Sequence, residues 1–392
     1  MTNIVEYYLY MLPKKLQKKL DERSIDNALR HLKNQSDLID FSSNDYLGFS
    51  KSEAIFDTAH SILKTLKVNG ATGSRLLSGN HSLYQEVEKN ISEFHQCETA
   101  LIFNSGYNAN IGFFSSVPQR SDVILYDEYI HASIRDGITM SNAKSYKFKH
   151  NDLKDLSKML KRSSSTLEFA QHNNIYIVTE SVFSMDGDTP NLLKLVEVSK
   201  KHNALLVIDE AHAIGVFGEK GMGLTQYLNI QNEIFARIIT FGKAIGCHGA
   251  AILGSHQLKE YLVNFCRSFI YTTALPPHSI ATIKAAYIEL ESTENRIALL
   301  SNIDFFKKEI QKHHLKSVFV DSDSAIQCCI IPGNNNVKSI SHHLQQQGFD
   351  VKPILSPTVP KNEERLRFCL HSYNTREDIR NVLNILNFVI NI

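Results

Sequence analysis

Ala204-Leu-Leu-Val-Ile-Asp-Glu-Ala-His212 decides the fold, read together with Ile238-Ile-Thr-Phe-Gly-Lys243. Each opens with a short apolar run, of the kind that strands buried on both faces of a parallel sheet require. Each run ends in polar residues: Asp209 with His212 three positions on, and Gly242 with Lys243, which stands 34 positions after Asp209. Ligands of open parallel sheets sit beyond the carboxyl ends of the strands. An acid, an imidazole and an amine converging there can hold a charged heterocycle against the amine.

The same pattern repeats along the chain. Ala100-Leu-Ile-Phe103, Val123-Ile-Leu-Tyr126, Ile175-Tyr-Ile-Val-Thr-Glu180, Leu205-Leu-Val-Ile-Asp209, Arg237-Ile-Ile-Thr-Phe241 and Ala250-Ala-Ile-Leu253 are short and mostly apolar. Helical patterns fall between them. Leu83, Val87, Ile91 and Phe94 share one face behind a cap expected at Asn80, and Leu192 to His202 reads likewise. This alternation predicts an α/β fold with a mainly parallel sheet covered by helices. Beyond Pro277 come a long helical run through Ile280 to Lys312, a strand within Ser324 to Ile331, a helix from Lys338 stopped by Gly348, a strand at Leu366 to Leu370 and a last helix. The expected division is a helical arm at 1–45, a large domain at 46–277 and a smaller α+β domain at 278–392. The arm is basic, with Leu16, Leu20, Ile25 and Leu29 as its expected buried side.

Composition narrows the function classes. The 392 residues are 43% hydrophobic and 21% charged, ordinary for a soluble enzyme with a sizeable core. Lysine and arginine number 42 against 41 acids, so the net charge of +1 gives no electrostatic reason for a nucleic-acid or membrane partner. The six cysteines are scattered without a C-x-x-C pair, which reads as reduced thiols in a cytoplasmic protein, and no metal site is expected. No apolar run reaches the ~18 residues of a membrane span. The stretch Ile4 to Leu12 carries Glu6 and lacks the basic lead of a signal peptide.

Pyridoxal phosphate suits the residues at the strand ends. A carboxylate paired with its ring nitrogen keeps that nitrogen protonated, and the ring then accepts electrons from a carbanion. Asp209 fits this role and Lys243 supplies the amine. Singly, Asp209 reads equally as a turn cap, His212 as a satisfied core histidine and Lys243 as a solvated charge. Their combination, with Gly242 and Gly246 expected to let the backbone approach a ligand, favours the cofactor. Two rival readings fail on motif. Asp209 to His212 spells the DEAH box of nucleic-acid-dependent ATPases, but no G-x-x-x-x-G-K-[ST] accompanies it, and Arg237 stands where that element needs its first glycine. Gly218-Glu-Lys-Gly-Met-Gly223 has the wrong glycine order for a dinucleotide fingerprint and reads as a loop.

Asp209 to His212 and Thr240-Phe-Gly-Lys243 occur with Phe41-Ser-Ser-Asn-Asp-Tyr-Leu-Gly48, Gly73-Ser-Arg-Leu-Leu-Ser-Gly79 and Thr179-Glu-Ser-Val-Phe-Ser-Met-Asp-Gly187. Together these motifs resemble the α-oxoamine synthases, fold-type I pyridoxal phosphate enzymes that condense an amino acid with an acyl thioester and release carbon dioxide. The resemblance runs from about Leu20 to the C-terminus. It implies a seven-stranded sheet in the large domain and a homodimer. The segments Asp321 to Gln327, Leu344 to Gly348, Ser356 to Pro360 and Arg365-Leu-Arg367 are similar to those of members acting on L-alanine and a pimeloyl thioester, as are Leu20 to Arg23 and Asn27 to Arg30. The acyl carrier is coenzyme A or an acyl carrier protein. Sister members take glycine or serine with another acyl-CoA. Ser268 stands where the family commonly has proline.

The resemblance implies roles residue by residue. Lys243 would bond the cofactor, Asp209 would pair with its ring nitrogen, and His131 would stack on the ring. The backbone of Gly106 and Tyr107, with Thr240, would hold the phosphate; Ser184 and His212 would face the ring hydroxyl. Thr272 and Thr273 of the partner subunit would also reach the phosphate. Arg367 and Asn44 would grip the alanine carboxylate, Thr358 the acyl substrate and Arg30 its far end. Arginine chemistry agrees, since a guanidinium grips a carboxylate with two parallel hydrogen bonds, although Arg30 reads equally as a surface ion pair. A non-catalytic relative is disfavoured by the retention of this whole set.

Overall fold

The computed structural model describes residues 12–32, 37–164 and 173–390. Most of the stretch Ile4 to Leu12 therefore lies outside the described residues. Seven strands build the main sheet: β2 (Thr99–Phe103), β3 (Val123–Asp127), β4 (Lys144–Phe148), β5 (Ile175–Glu180), β6 (Leu205–Asp209), β7 (Ala236–Thr240) and β8 (Ala250–Gly254). Their order is β2-β8-β7-β6-β5-β3-β4, and only β8 runs against the rest. The mainly parallel sheet is as expected, and six of its strands follow the apolar runs. β4 escaped because its first four residues, Lys144-Ser-Tyr-Lys147, are exposed at a sheet edge. Lysines there blunt an unpaired edge and erase the apolar signal.

The period of two along each strand separates two core layers. Leu206 and Ile208 pack on one face of β6 with Ile177 and Ile239, while Val207 packs on the other with Val178 and Ile238. Helices cover both faces. Helix Ser82–Phe94 buries Leu83, Val87, Ile91 and Phe94, as their spacing demands. Its N-cap, however, is His81 rather than Asn80; the Asn80 side chain instead accepts a hydrogen bond from Arg75 Nε at 3.0 Å. Helix Leu192–Lys201 begins at Asn191, whose side chain caps the Lys194 amide.

A second sheet of three antiparallel strands, β11 (Lys352–Ile354), β12 (Arg365–Cys369) and β9 (Ile326–Ile330), lies in the C-terminal third. Two-residue strands β1 (Ile39–Asp40) and β10 (Phe349–Asp350) pair in parallel beside it. The long helical run is two helices, Pro277–Ser292 and Asn295–Lys312, because Thr293 turns extended and its hydroxyl caps the Asn295 amide at 3.1 Å. The next helix starts earlier than expected, at Asn334.

The arm contradicts expectation. Its helix, Lys14–Ile25, buries no side chain, and Leu16, Leu20 and Ile25 are exposed. The chain fastens only after the helix: Ala28 is buried, Leu29 is partly so, Asn27 Nδ2 donates to Asn335 Oδ1 at 2.8 Å, and Lys338 Nζ donates to Asn27 Oδ1 at 2.8 Å. All six cysteines are free, four of them buried. Among the described residues no helix is long and apolar enough to cross a membrane.

Candidate active site

Three neighbouring parallel strands, β3, β5 and β6, end in acids: Asp127, Glu180 and Asp209. Asp209 and Glu180 are register partners and both are buried. Asp209 Oδ1 accepts the Ala211 N–H at 2.9 Å, closing the turn, and Oδ2 accepts from Asn110 Nδ2 at 2.9 Å. The turn-cap reading is therefore correct for one oxygen and leaves the other to face the site. Burial and the adjacent Asp209 push the Glu180 pKa well up.

Glu210, the second letter of the apparent DEAH box, points elsewhere. It accepts the Leu224 and Thr225 N–H groups at 2.8 and 3.0 Å and the Thr225 hydroxyl at 2.6 Å, and lies 3.8 Å from Arg237 Nη1. It is a fully buried anchor for the glycine loop at 218–223, which has no part in the site.

Lys243 follows β7 and reaches the same place. Its Nζ is 2.7 Å from His212 Nε2, and His212 Nδ1 is 2.7 Å from the Tyr46 hydroxyl. Removal from water lowers the Lys243 pKa to about 8, against the opposing pull of Asp209 and Glu180. Burial, with Lys243 beside it, drives the His212 pKa well down, so the imidazole is neutral. Gly242 is exposed, and a Cβ there would meet only the Cys247 carbonyl, at 3.6 Å. Gly246 does not serve a ligand. Its φ of +65° and the Phe49–Ser50 backbone packed against its Cα require glycine for internal reasons.

β12 brings Arg367 to this end of the large sheet. Its Nε donates to Ser184 O at 2.7 Å, Nη1 contacts Cys369 Sγ at 2.7 Å and Nη2 donates to Asn44 Oδ1 at 3.0 Å. A guanidinium has five N–H groups, so two remain for a ligand. Helix Gly106–Ser116 presents its N-terminus, capped by Ser105, beside Thr240: a Cβ on Gly106 would lie 3.5 Å from Thr240 Cγ2. Free N–H groups at a helix start suit a phosphate. The Tyr107 hydroxyl is engaged by Asp136 at 2.6 Å, which leaves only its backbone for that purpose. Ser268 supports this helix by donating to Asn108 O at 2.7 Å.

His131 caps helix Ala132–Met140, and its N–H donates to Glu180 Oε1 at 2.5 Å. Partial burial lowers its pKa despite Asp209 nearby. It lines a cavity of about 200 Å³ together with Tyr129, Ser184, Asp186, Thr358 and Arg365. Arg30 is exposed, and its Nη2 donates at 3.3 Å to the hydroxyl of Thr358, which lines this cavity. Thr273 is exposed beside Asn104, which donates to its carbonyl at 2.7 Å; Thr272 is partly exposed.

The structure thus gathers Lys243, Asp209, His212, His131, Ser184, Asn44 and Arg367 at one end of the sheet. Sequence reasoning missed Asn110, Tyr46 and Glu180, which hold or border this set. Glu180 was findable, since β5 ends in an acid as β6 does. Asn110 lies four residues after Gly106 on one helix face. Tyr46 gave no separate signal. An acid with one uncapped oxygen, an amine lowered toward neutrality and a helix start beside Thr240 fit the ring nitrogen, aldehyde carbon and phosphate of pyridoxal phosphate.

Known proteins agree. The family model for class I and II aminotransferases matches residues 36–386. A Bacillus cereus (strain Q1) protein named "Putative 8-amino-7-oxononanoate synthase" is 40% identical over 351 residues, covering 89% of this chain and 86% of that one. The serine palmitoyltransferase of Sphingomonas wittichii superposes with a TM-score of 0.87 at 27% identity, over 97% of this chain and 98% of that one. The 8-amino-7-oxononanoate synthase of Francisella tularensis superposes with a TM-score of 0.76 at 30% identity, over 90% and 98%.

Proposed function

The chain belongs to the class I and II aminotransferase family and, within it, to the pyridoxal phosphate-dependent α-oxoamine synthases; from that premise we propose that it condenses L-alanine with a pimeloyl thioester. The products are 8-amino-7-oxononanoate, carbon dioxide and the free thiol. The observation that carries this reading is a pair of guanidinium groups. Arg367 is buried among the catalytic residues, and Arg30 hydrogen-bonds Thr358, which lines a cavity together with His131. A small amino acid and an acyl chain that ends in its own carboxylate call for two such cations; a plain fatty acyl chain has no use for Arg30.

When bound, pyridoxal phosphate draws electrons from the alanine Cα, which lets that carbon lose a proton and attack the thioester. The chain's residues do the rest. Lys243 would hold the cofactor covalently, and its amine would carry the proton to and from Cα; its lowered pKa suits both tasks. The free side of Asp209 Oδ2 would pair with the ring nitrogen. His131 would stack on the ring, while Ser184 and His212 would address its hydroxyl. Gly106, Tyr107 and Thr240 would hold the phosphate, joined by Thr272 and Thr273 of the partner subunit in a homodimer. Asn44 and the two spare N–H groups of Arg367 grip the alanine carboxylate. Holding the reacting carbon and the thioester together is worth an effective molarity of ~10⁵ M or more.

The closer superposition on serine palmitoyltransferase favours a second reading, a sister synthase using serine or glycine with another acyl-CoA. A matrix of amino acids against acyl thioesters, followed by thiol release, separates the two. Alanine with pimeloyl thioester should be turned over fastest. Preference for serine or glycine with a different acyl group would move the assignment to the sister activity.

A further inference from the structure

Four side chains form a hydrogen-bonded chain that the roles above do not use. Asn110 Nδ2 lies 2.9 Å from Asp209 Oδ2 and 3.0 Å from Ser133 Oγ, and Ser133 Oγ lies 2.7 Å from His131 Nδ1. The Ser133 backbone N–H also points at His131 Nδ1, at 3.2 Å. Asn110 and Ser133 are both buried.

The backbone N–H of Ser133 decides the donors and acceptors along this chain. A carboxylate needs donors, so the amide nitrogen of Asn110 faces Asp209; its second hydrogen goes to Ser133 Oγ. Among the described residues Asn110 Oδ1 has no hydrogen-bond partner, so toward them the amide acts by donation alone. The Ser133 hydroxyl has two lone pairs, so by itself it could donate to His131 Nδ1 or accept from it. The backbone N–H of Ser133 can only donate. Two donors therefore converge on Nδ1, which carries no proton, and the neutral ring must bear its proton on Nε2.

We infer that Asn110 and Ser133 are positioning residues that fix His131 as the Nε2–H tautomer and tie its orientation to that of Asp209. The ring then presents a donor to the cleft, suited to an oxygen of the bound substrates: the amino acid carboxylate or the thioester carbonyl. The opposite tautomer would present a lone pair to the same oxygen and repel it. The same Asn110 amide steadies Asp209 Oδ2, so one side chain sets both the acid that would pair with the ring nitrogen and the imidazole that would stack on the ring. This use of the tautomer rests on the proposed condensation; the tautomer itself does not.

Two measurements on the holoenzyme test the inference. In protein labelled with ¹⁵N-histidine, with the His131 signals assigned by their loss in His131→Gln, the proton should reside on Nε2 and Nδ1 should be bare. A proton on Nδ1 overturns the assignment. In kinetics, Ser133→Ala and Asn110→Ala should each lower kcat about tenfold, the effect of losing one well-placed hydrogen bond. Because both act through one chain, the double variant should be no slower than the slower single variant, and Ser133→Thr should recover most of the loss. Losses that multiply in the double variant, or a Ser133→Thr no better than Ser133→Ala, would dissolve the chain as a device. Cofactor uptake by the wild type, read from its visible absorbance, is scored separately: failure there defeats the proposed reaction and leaves the tautomer result standing.

Discussion

The amine of Lys243 and the hydroxyl of Tyr46 contact opposite nitrogens of one imidazole, His212, each at 2.7 Å. An ammonium only donates, so Nε2 accepts from it and Nδ1–H is turned toward Tyr46. The Tyr46 hydroxyl in turn lies 3.2 Å from Asn44 Oδ1, which also accepts from Arg367 Nη2 at 3.0 Å. The lysine that would carry the cofactor and the arginine that would hold the substrate carboxylate are thus ends of one hydrogen-bonded path, three side chains long.

Lys243→Ala removes one end of that path. The variant should form no borohydride-reducible bond with pyridoxal phosphate and show no turnover, while its fold survives because the Lys243 side chain contributes no apolar core. A variant that keeps the visible band of covalently held cofactor would take Lys243 out of this role.

Uptake of pyridoxal phosphate by the apoprotein should follow the free amine. Burial lowers the Lys243 pKa to about 8 from 10.5, so the neutral amine appears about two and a half pH units earlier than on an ordinary lysine. The rate of cofactor attachment, followed by absorbance, should rise with a midpoint near pH 8. A midpoint above pH 10 would mean the amine is not desolvated.

The legible parts of this fold were those where burial writes itself into sequence. β6 and β7 are apolar on both faces, and their ends announce Asp209 and Lys243. β4 is not legible, because an exposed edge strand needs no apolar residues. The arm misled for the opposite reason: Leu16 and Leu20 have helical spacing, yet spacing cannot say what surface a face meets. Asn110 and Tyr46 were hidden because their importance lies in a partner brought from far along the chain, 99 and 166 positions away. Gly246 looked like a ligand-side glycine and proved to be a packing one.

Arg367→Lys tests whether the fork matters or only the charge. A lysine offers a point charge that cannot satisfy Ser184 O, Cys369 and Asn44 while also gripping a carboxylate in parallel. The KM for the amino acid should rise about thirtyfold, equivalent to roughly 2 kcal/mol, with the KM for the thioester changing little. Equal rises in both would place Arg367 in general packing.

His150, beside the site, makes stability depend on pH. It lies between Asp127 Oδ1 and Asp188 Oδ2, each at 2.9 Å, and stacks on Tyr129 with ring centroids 4.4 Å apart. Burial opposes its charge, but hydrogen bonds and attraction from Asp127 and Asp188 outweigh it and push the pKa up to about 10 from 6.5. A folded pKa above the unfolded one means the stabilisation is complete below pH 6.5 and fades as pH rises to 10. His150→Gln should therefore cost roughly 2 kcal/mol in urea unfolding near pH 6, allowing for partial exposure, and much less near pH 10. A cost independent of pH would show that the ring is neutral in the folded protein.

Arg30→Ala separates the two substrates. Arg30 is exposed and, among the described residues, hydrogen-bonds only Thr358, so its loss should leave the fold, cofactor attachment and alanine binding intact. If the guanidinium receives the carboxylate at the end of a pimeloyl chain, the KM for that thioester should rise about tenfold, the effect of one charge-assisted hydrogen bond partly screened by solvent. The rise should shrink in high salt. A thioester of the same length ending in a methyl group supplies the control: it has no charge to lose, so wild type and variant should handle it alike. If the variant instead loses both thioesters equally, Arg30 acts by shaping the Thr358 loop rather than by pairing with substrate. If neither changes, the acyl chain ends elsewhere, and the choice of a diacid thioester loses the observation that carries it.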